Sequence, residues 1–139
     1  MPDSQDLFTQ ATDLVELGLL DEALTIFQTL LKTDSNNAVI WNNVGIIQFR
    51  QGKYREAVNA FGQATDTDPE FTNAWFNKSL ALVNLGKDTE ALRALDKVFK
   101  LNPHDKETQS QRVLIVRKMA QDSDTGNTES QSTQSQLRI

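Results

Sequence analysis

Three glycines, Gly18, Gly52 and Gly86, stand 34 residues apart, and three alanines, Ala23, Ala57 and Ala91, keep the same interval five residues further on. An interval repeated twice within 139 residues means one supersecondary unit written three times. Such a unit cannot bury its apolar face alone, so the three must stack on one another. This restricts the fold before any local propensity is considered.

Setting the units at 4–37, 38–71 and 72–105 brings the remaining positions into register. The fourth position holds Leu7, Trp41 and Trp75, and the eighth holds the small residues Ala11, Gly45 and Ser79. The nineteenth is Glu22, Glu56 and Glu90, the twenty-fourth is Phe27, Phe61 and Leu95, and the thirty-second is Ser35, Pro69 and Pro103. Apolar residues recur at helical spacing within each unit, as in Leu7, Ala11, Leu14 and Val15, then Leu24, Phe27, Leu30 and Leu31. Glycine suits the end of a first helix, where a left-handed residue is needed without a Cβ. Asp21 and Asp88 are expected to cap the second helices, and Pro69 and Pro103 to stop them. The predicted helices are 4–17, 21–33, 38–51, 55–67, 72–85 and 88–100.

A stack of this kind needs a final helix with a polar outer face. Residues 106–120 fit, with Val113, Val116 and Ala120 on one stripe, Ile115 and Met119 beside it, and Gln109, Arg112 and Lys118 toward water. From Gln121 onward Ser, Gln and Thr dominate, so residues 121–139 read as a disordered polar tail. Leu137-Arg138-Ile139 is expected to be a free end, with a short recognition motif as the alternative.

The chain carries 19 acidic and 14 basic residues, and the imbalance is graded. Residues 1–37 sum to −6, residues 38–71 to −1, residues 72–105 to +1, residues 106–121 to +3 and residues 122–139 to −2. An acidic half opposes the basic stripe that a nucleic-acid footprint requires. Two readings of the gradient stand: solvated helix faces, or attraction between an acidic end and a basic end that favours weak self-association. No run approaches the roughly 20 apolar residues of a membrane span. The N-terminus lacks a basic start and an apolar run, and there are no cysteines, so the expectation is a cytoplasmic protein without disulfides.

The aromatic, small, glycine, alanine, aromatic and proline pattern resembles the tetratricopeptide repeat over residues 4–105, most fully in Trp41, Val44, Gly45, Gly52, Tyr54, Ala57, Phe61, Ala64 and Pro69. It departs from that pattern at Gln10, Lys78, Gln48 and Ser35. The resemblance implies an all-α fold: a right-handed α-solenoid of three helix-turn-helix repeats with a seventh, capping helix. It also implies that the first helix of each pair lines a concave groove. On that basis the groove receives Phe8, Thr9 and Thr12 from the first unit, and Asn42, Asn43, Ile46 and Arg50 from the second. The third contributes Asn73, Phe76, Asn77, Leu80 and Asn84.

Asn43 and Asn77 share one position of the repeat, and Thr9 holds it in the first unit. An asparagine amide both donates to a carbonyl and accepts from an N–H, so a ladder of them suits an extended peptide backbone. Phe8, Phe76, Ile46 and Leu80 are then the expected apolar contacts, the alternative being that Phe8 and Phe76 pack between helices. Family members that grip the carboxylate of chaperone tails use cations in the first and third units. Phe8, Thr12, Asn73 and Asn77 replace the residues of that clamp and only Asn43 matches, so charge-assisted binding of such a tail is not expected.

Catalysis finds little to work with. His104 is the sole histidine and follows Pro103 in a turn, no phosphate-cradling glycine loop occurs, and Asp66 and Asp68 lack metal-ligand spacing. The sequence therefore reads as a non-enzymatic adaptor without cofactor or metal, which binds an extended segment of another protein. A module that docks or self-associates through its ends or convex face is the second reading.

Overall fold

The structure, a computed structural model, describes residues 2–125 and 137–139. Seven α-helices follow one another: α1 Ser4–Glu16, α2 Leu20–Thr33, α3 Ala38–Arg50, α4 Tyr54–Thr67, α5 Thr72–Asn84, α6 Asp88–Leu101 and α7 Lys106–Thr125. Among the described residues there is no strand. Each helix packs on the next, and α3 also meets α5. The result is a right-handed α-solenoid of three helix pairs closed by α7.

The glycine period has a conformational cause. Gly18, Gly52 and Gly86 have φ of +79°, +77° and +76°, where a side chain is strained. Each follows a first helix and closes it with two backbone bonds. In the first unit Gly18 N–H donates to the Val15 carbonyl at 3.0 Å and Leu19 N–H to the Leu14 carbonyl at 2.9 Å. The same pair recurs from Gly52 to Phe49 and Lys53 to Gln48, and from Gly86 to Val83 and Lys87 to Leu82. These two bonds satisfy carbonyls left open at the helix end and turn the chain into the second helix.

The small and aromatic positions are one packing device. Ala57 and Phe61 are fully buried, and a Cβ added to Gly45 would lie 2.4 Å from the Phe61 ring. The ring therefore rests on bare backbone of α3, bringing α3 and α4 close. Phe27 and Leu95 occupy the corresponding buried places in the other units. One core cluster joins α1 through α4, and another joins α3 through α7, with Leu137 packed against it.

The units are also joined by polar ties at the same interval. The Trp41 indole N–H donates to the Ser35 carbonyl and that of Trp75 to the Pro69 carbonyl, both at 2.9 Å. Gln109 takes the corresponding place in α7 and donates to the Pro103 carbonyl at 3.2 Å. Asp3, Asn37 and Asp105 each accept a backbone N–H at the start of α1, α3 and α7. The helix α7 is thus built as the first helix of a fourth unit.

Several expectations need correction. Asp21 and Asp88 cap nothing: the second helices have no side-chain cap. Asp21 instead accepts from Gln51 Nε2 at 2.8 Å, and Asp88 pairs with Lys118 at 3.1 Å. The helix α7 runs to Thr125, five residues past the expected end. It buries Thr108, Gln111 and Ile115, while Val113 and Val116 stay about half exposed at 52% and 53%. Those valines lie where a fourth unit's second helix would pack, and among the described residues nothing covers them. Arg112 and Lys118, expected to face water, pair with Asp96 and Asp88 of α6. Of the expected disordered tail, residues 126–136 lie outside the described residues. Leu137-Arg138-Ile139, expected to be a free end, is seated on the solenoid.

Candidate functional site

The seat is the face presented by the first helices of the second and third units and by the start of α7. Its polar part is three asparagines. Asn77 Nδ2 donates to the Arg138 carbonyl and Asn77 Oδ1 accepts from the Arg138 N–H at 2.6 Å, so one amide satisfies both backbone groups of one residue. Asn42 Nδ2 donates to the same carbonyl at 3.1 Å, and Asn42 Oδ1 accepts from Asn77 Nδ2 at 3.0 Å. Asn73 Nδ2 donates to the Ile139 carbonyl oxygen at 3.1 Å.

The side chain of Arg138 has its own compartment. Its guanidinium lies over the Phe76 ring, 3.6 Å from the centroid. It forms a fork with Asp105 at 2.8 and 3.0 Å and reaches Glu107 at 3.0 Å. Arg138 and Asp105 side chains are only 16% and 12% exposed, so this pair is poorly screened, whereas Glu107 is half exposed. The Arg138 hydrogen bond holds the Asp105 carboxyl below its ordinary value of 3.8, with burial opposing and the Thr108 amide assisting. Burial acts to lower the Arg138 pKa, but the Asp105 bond and charge outweigh it and raise the value.

The expected groove residues meet different fates. Asn42, Asn73, Phe76 and Asn77 come together around residues 137–139, with Asn42 1% exposed and Phe76 and Asn77 fully buried while that segment is in place. Asn43 does not join them: its Nδ2 donates to the Val39 carbonyl of its own helix at 2.9 Å. The ladder therefore pairs Asn77 with Asn42, one residue earlier in the unit than expected. Ile46 and Leu80 are core residues, 1% and 0% exposed, rather than open groove contacts.

The first unit stands apart. Phe8 packs edge-on against Phe27 with centroids 5.7 Å apart, while the Thr9 and Thr12 hydroxyls donate to carbonyls of their own helix. Arg50 is exposed, and Asn84 Nδ2 donates to the Leu80 carbonyl at 2.8 Å. His104 lies exposed in the turn before α7.

Two residues of the site, Asp105 and Glu107, were missed. The signal for Glu107 was present: continuing the 34-residue numbering into 106–120 puts it at the second position, equivalent to Asn73. The seated segment had no comparable signal, since three residues carry no periodicity.

A family model for the tetratricopeptide repeat matches residues 8–54 and 45–106. Among solved structures, the first such domain of Spaghetti (RPAP3), bound to the HSP90 peptide SRMEEVD, is 23% identical with a TM-score of 0.80, covering 84% of this chain and 93% of that one. The Sgt2 domain from Aspergillus fumigatus is 16% identical with a TM-score of 0.82, covering 96% of this chain and 89% of that one. YrrB, described as having an unusual peptide-binding site, is 22% identical with a TM-score of 0.74, covering 81% of this chain and 58% of that one. At these identities the likeness is one of fold. Among curated proteins none matches the sequence. Among the described residues no helix is long and apolar enough to cross a membrane.

Proposed function

Because the chain belongs to the tetratricopeptide repeat family, we propose that it is a non-enzymatic interaction module whose first-helix face is a groove for an extended segment of another protein. One observation carries this reading: Asn77 meets both the N–H and the C=O of a single residue, with Asn42 sharing the carbonyl. Those contacts reach only main-chain groups, which every peptide presents. They supply affinity with little dependence on sequence, as a strand added to a sheet edge does. The peptide bound to the Spaghetti domain and the peptide-binding site described for YrrB agree with such a use of the fold.

Peptides selected from a random display library on the Arg138→Asp chain, whose own terminal segment no longer fills the face, provide the test, with the asparagine substitutions made in that same background. They should bind the Asn42→Ala, Asn77→Ala double variant about tenfold or more weakly, since three hydrogen bonds to the main chain are lost at roughly 1 kcal/mol each. Unchanged affinity for every selected peptide would break the groove reading.

A further inference from the structure

We propose that the groove selects segments bearing an arginine preceded by an aliphatic residue, and that the chain's own Leu137-Arg138-Ile139 occupies it as a built-in competitor. The proposal rests on the groove reading above and assigns its ligand class. The asparagines hold main chain and cannot choose among sequences, so selection falls to the compartment that takes the side chain. That compartment pairs an aromatic face, Phe76, with two carboxylates, Asp105 and Glu107. A planar guanidinium stacks on the ring and meets Asp105 with two parallel N–H donors. An ammonium has neither the plane nor the fork, and an acidic or apolar side chain would leave Asp105 buried without a cation. Leu137 adds an aliphatic contact by packing against the α3–α7 core cluster.

The compartment is not a by-product of helix ends. Asp3 and Asn37 cap α1 and α3 at the corresponding places, and Asp105 caps α7 through the Thr108 N–H. Only Asp105 spends its second oxygen, with the first, on an arginine. Charge selects against chaperone-type acidic tails here: an acidic segment would face Asp105 and Glu107 rather than lysines.

Residues 126–136 join α7 to the seated segment, so the competitor is covalently attached. A short tether sets an effective concentration of about millimolar, against which an incoming segment must compete. The face is therefore closed to weak ligands and opened by any event that removes Arg138 from Asp105.

Fluorescence anisotropy with a labelled peptide of residues 131–139, titrated with the full chain, tests this. The Arg138→Asp chain, which repels its own segment from Asp105, should bind the peptide about tenfold more tightly than the parent. A peptide with lysine in place of its arginine should bind that variant about tenfold more weakly, through loss of the fork. Arg138→Lys serves as a milder release variant, and unchanged helical circular dichroism establishes that both fold. Equal peptide affinity of parent and Arg138→Asp overturns the internal competition. Absence of peptide binding by both folded variants overturns the arginine assignment. Dimers of the parent at micromolar concentration that dissociate on Arg138→Asp also overturn the competition within one chain, because the segment would then be exchanged between copies. The groove reading fails separately, in the library test with Asn42→Ala, Asn77→Ala.

Discussion

The first and third repeats share a scaffold and differ in the face they present. Phe8 and Phe76 hold the same place in the 34-residue unit, as do Thr9 and Asn77. In the first unit Phe8 folds against Phe27 and the Thr9 hydroxyl bonds to its own helix at Gln5, so the side chains serve α1 and α2. In the third, Phe76 lies under a guanidinium and Asn77 pairs with another segment's backbone. The period sets the place of a side chain; at Thr9 and Asn77 its chemistry decides whether it bonds to its own helix or outward, and at Phe8 and Phe76 the neighbours decide. One change in residue type, Thr9 to Asn77, with Asp105 and Glu107 at the next helix start, separates scaffold from binding surface.

If the units differ only in that face, their cores should respond alike. Phe27 and Leu95 are both fully buried at the twenty-fourth position. Phe27→Ala should destabilise the chain by about 3–5 kcal/mol and Leu95→Ala by about 2–5 kcal/mol in denaturant unfolding. A loss under about 1 kcal/mol for either would show that one unit is loosely packed, and the comparison would have to include the cores.

A smaller effect sharpens the contrast through pH. The docked Asp105 carboxyl titrates below its ordinary value of 3.8, so docking is favoured above that value and is lost as pH falls through the lowered one. Acid should therefore release residues 137–139 from the third unit, seen as increasing mobility of a spin label at Ile139→Cys below about pH 4. In an Asp105→Asn variant the label should be mobile already near neutral pH. A parent label whose mobility is unchanged down to about pH 2, with helicity intact, would remove Asp105 as the anchor.

Much of the scaffold was legible because glycines in left-handed turns and small residues under aromatic rings recur on the 34-residue period. The site was legible only in part. Asn42 and Asn43 are adjacent on one helix near the edge of the groove face, and a position rule from the family cannot decide which amide reaches Asn77. The facing of α7 was not legible for a similar reason: its Val113–Val116 stripe is the more apolar, but among the described residues no second helix of its own unit packs there. The polar-flanked Thr108, Gln111 and Ile115 instead meet the preceding pair. Residues 137–139 read as a free end rather than a recognition motif because their binding comes from specific pairings with Asn77, Asp105 and Phe76, which neither composition nor periodicity reports.

The most direct measurement is hydrogen exchange at the Arg138 backbone amide, which donates to Asn77 Oδ1. That amide should be protected in the parent chain and exchange at the rate of a free peptide in Asn77→Ala, while amides within α1 are unaffected. Free-peptide exchange at Arg138 in the parent would contradict the account.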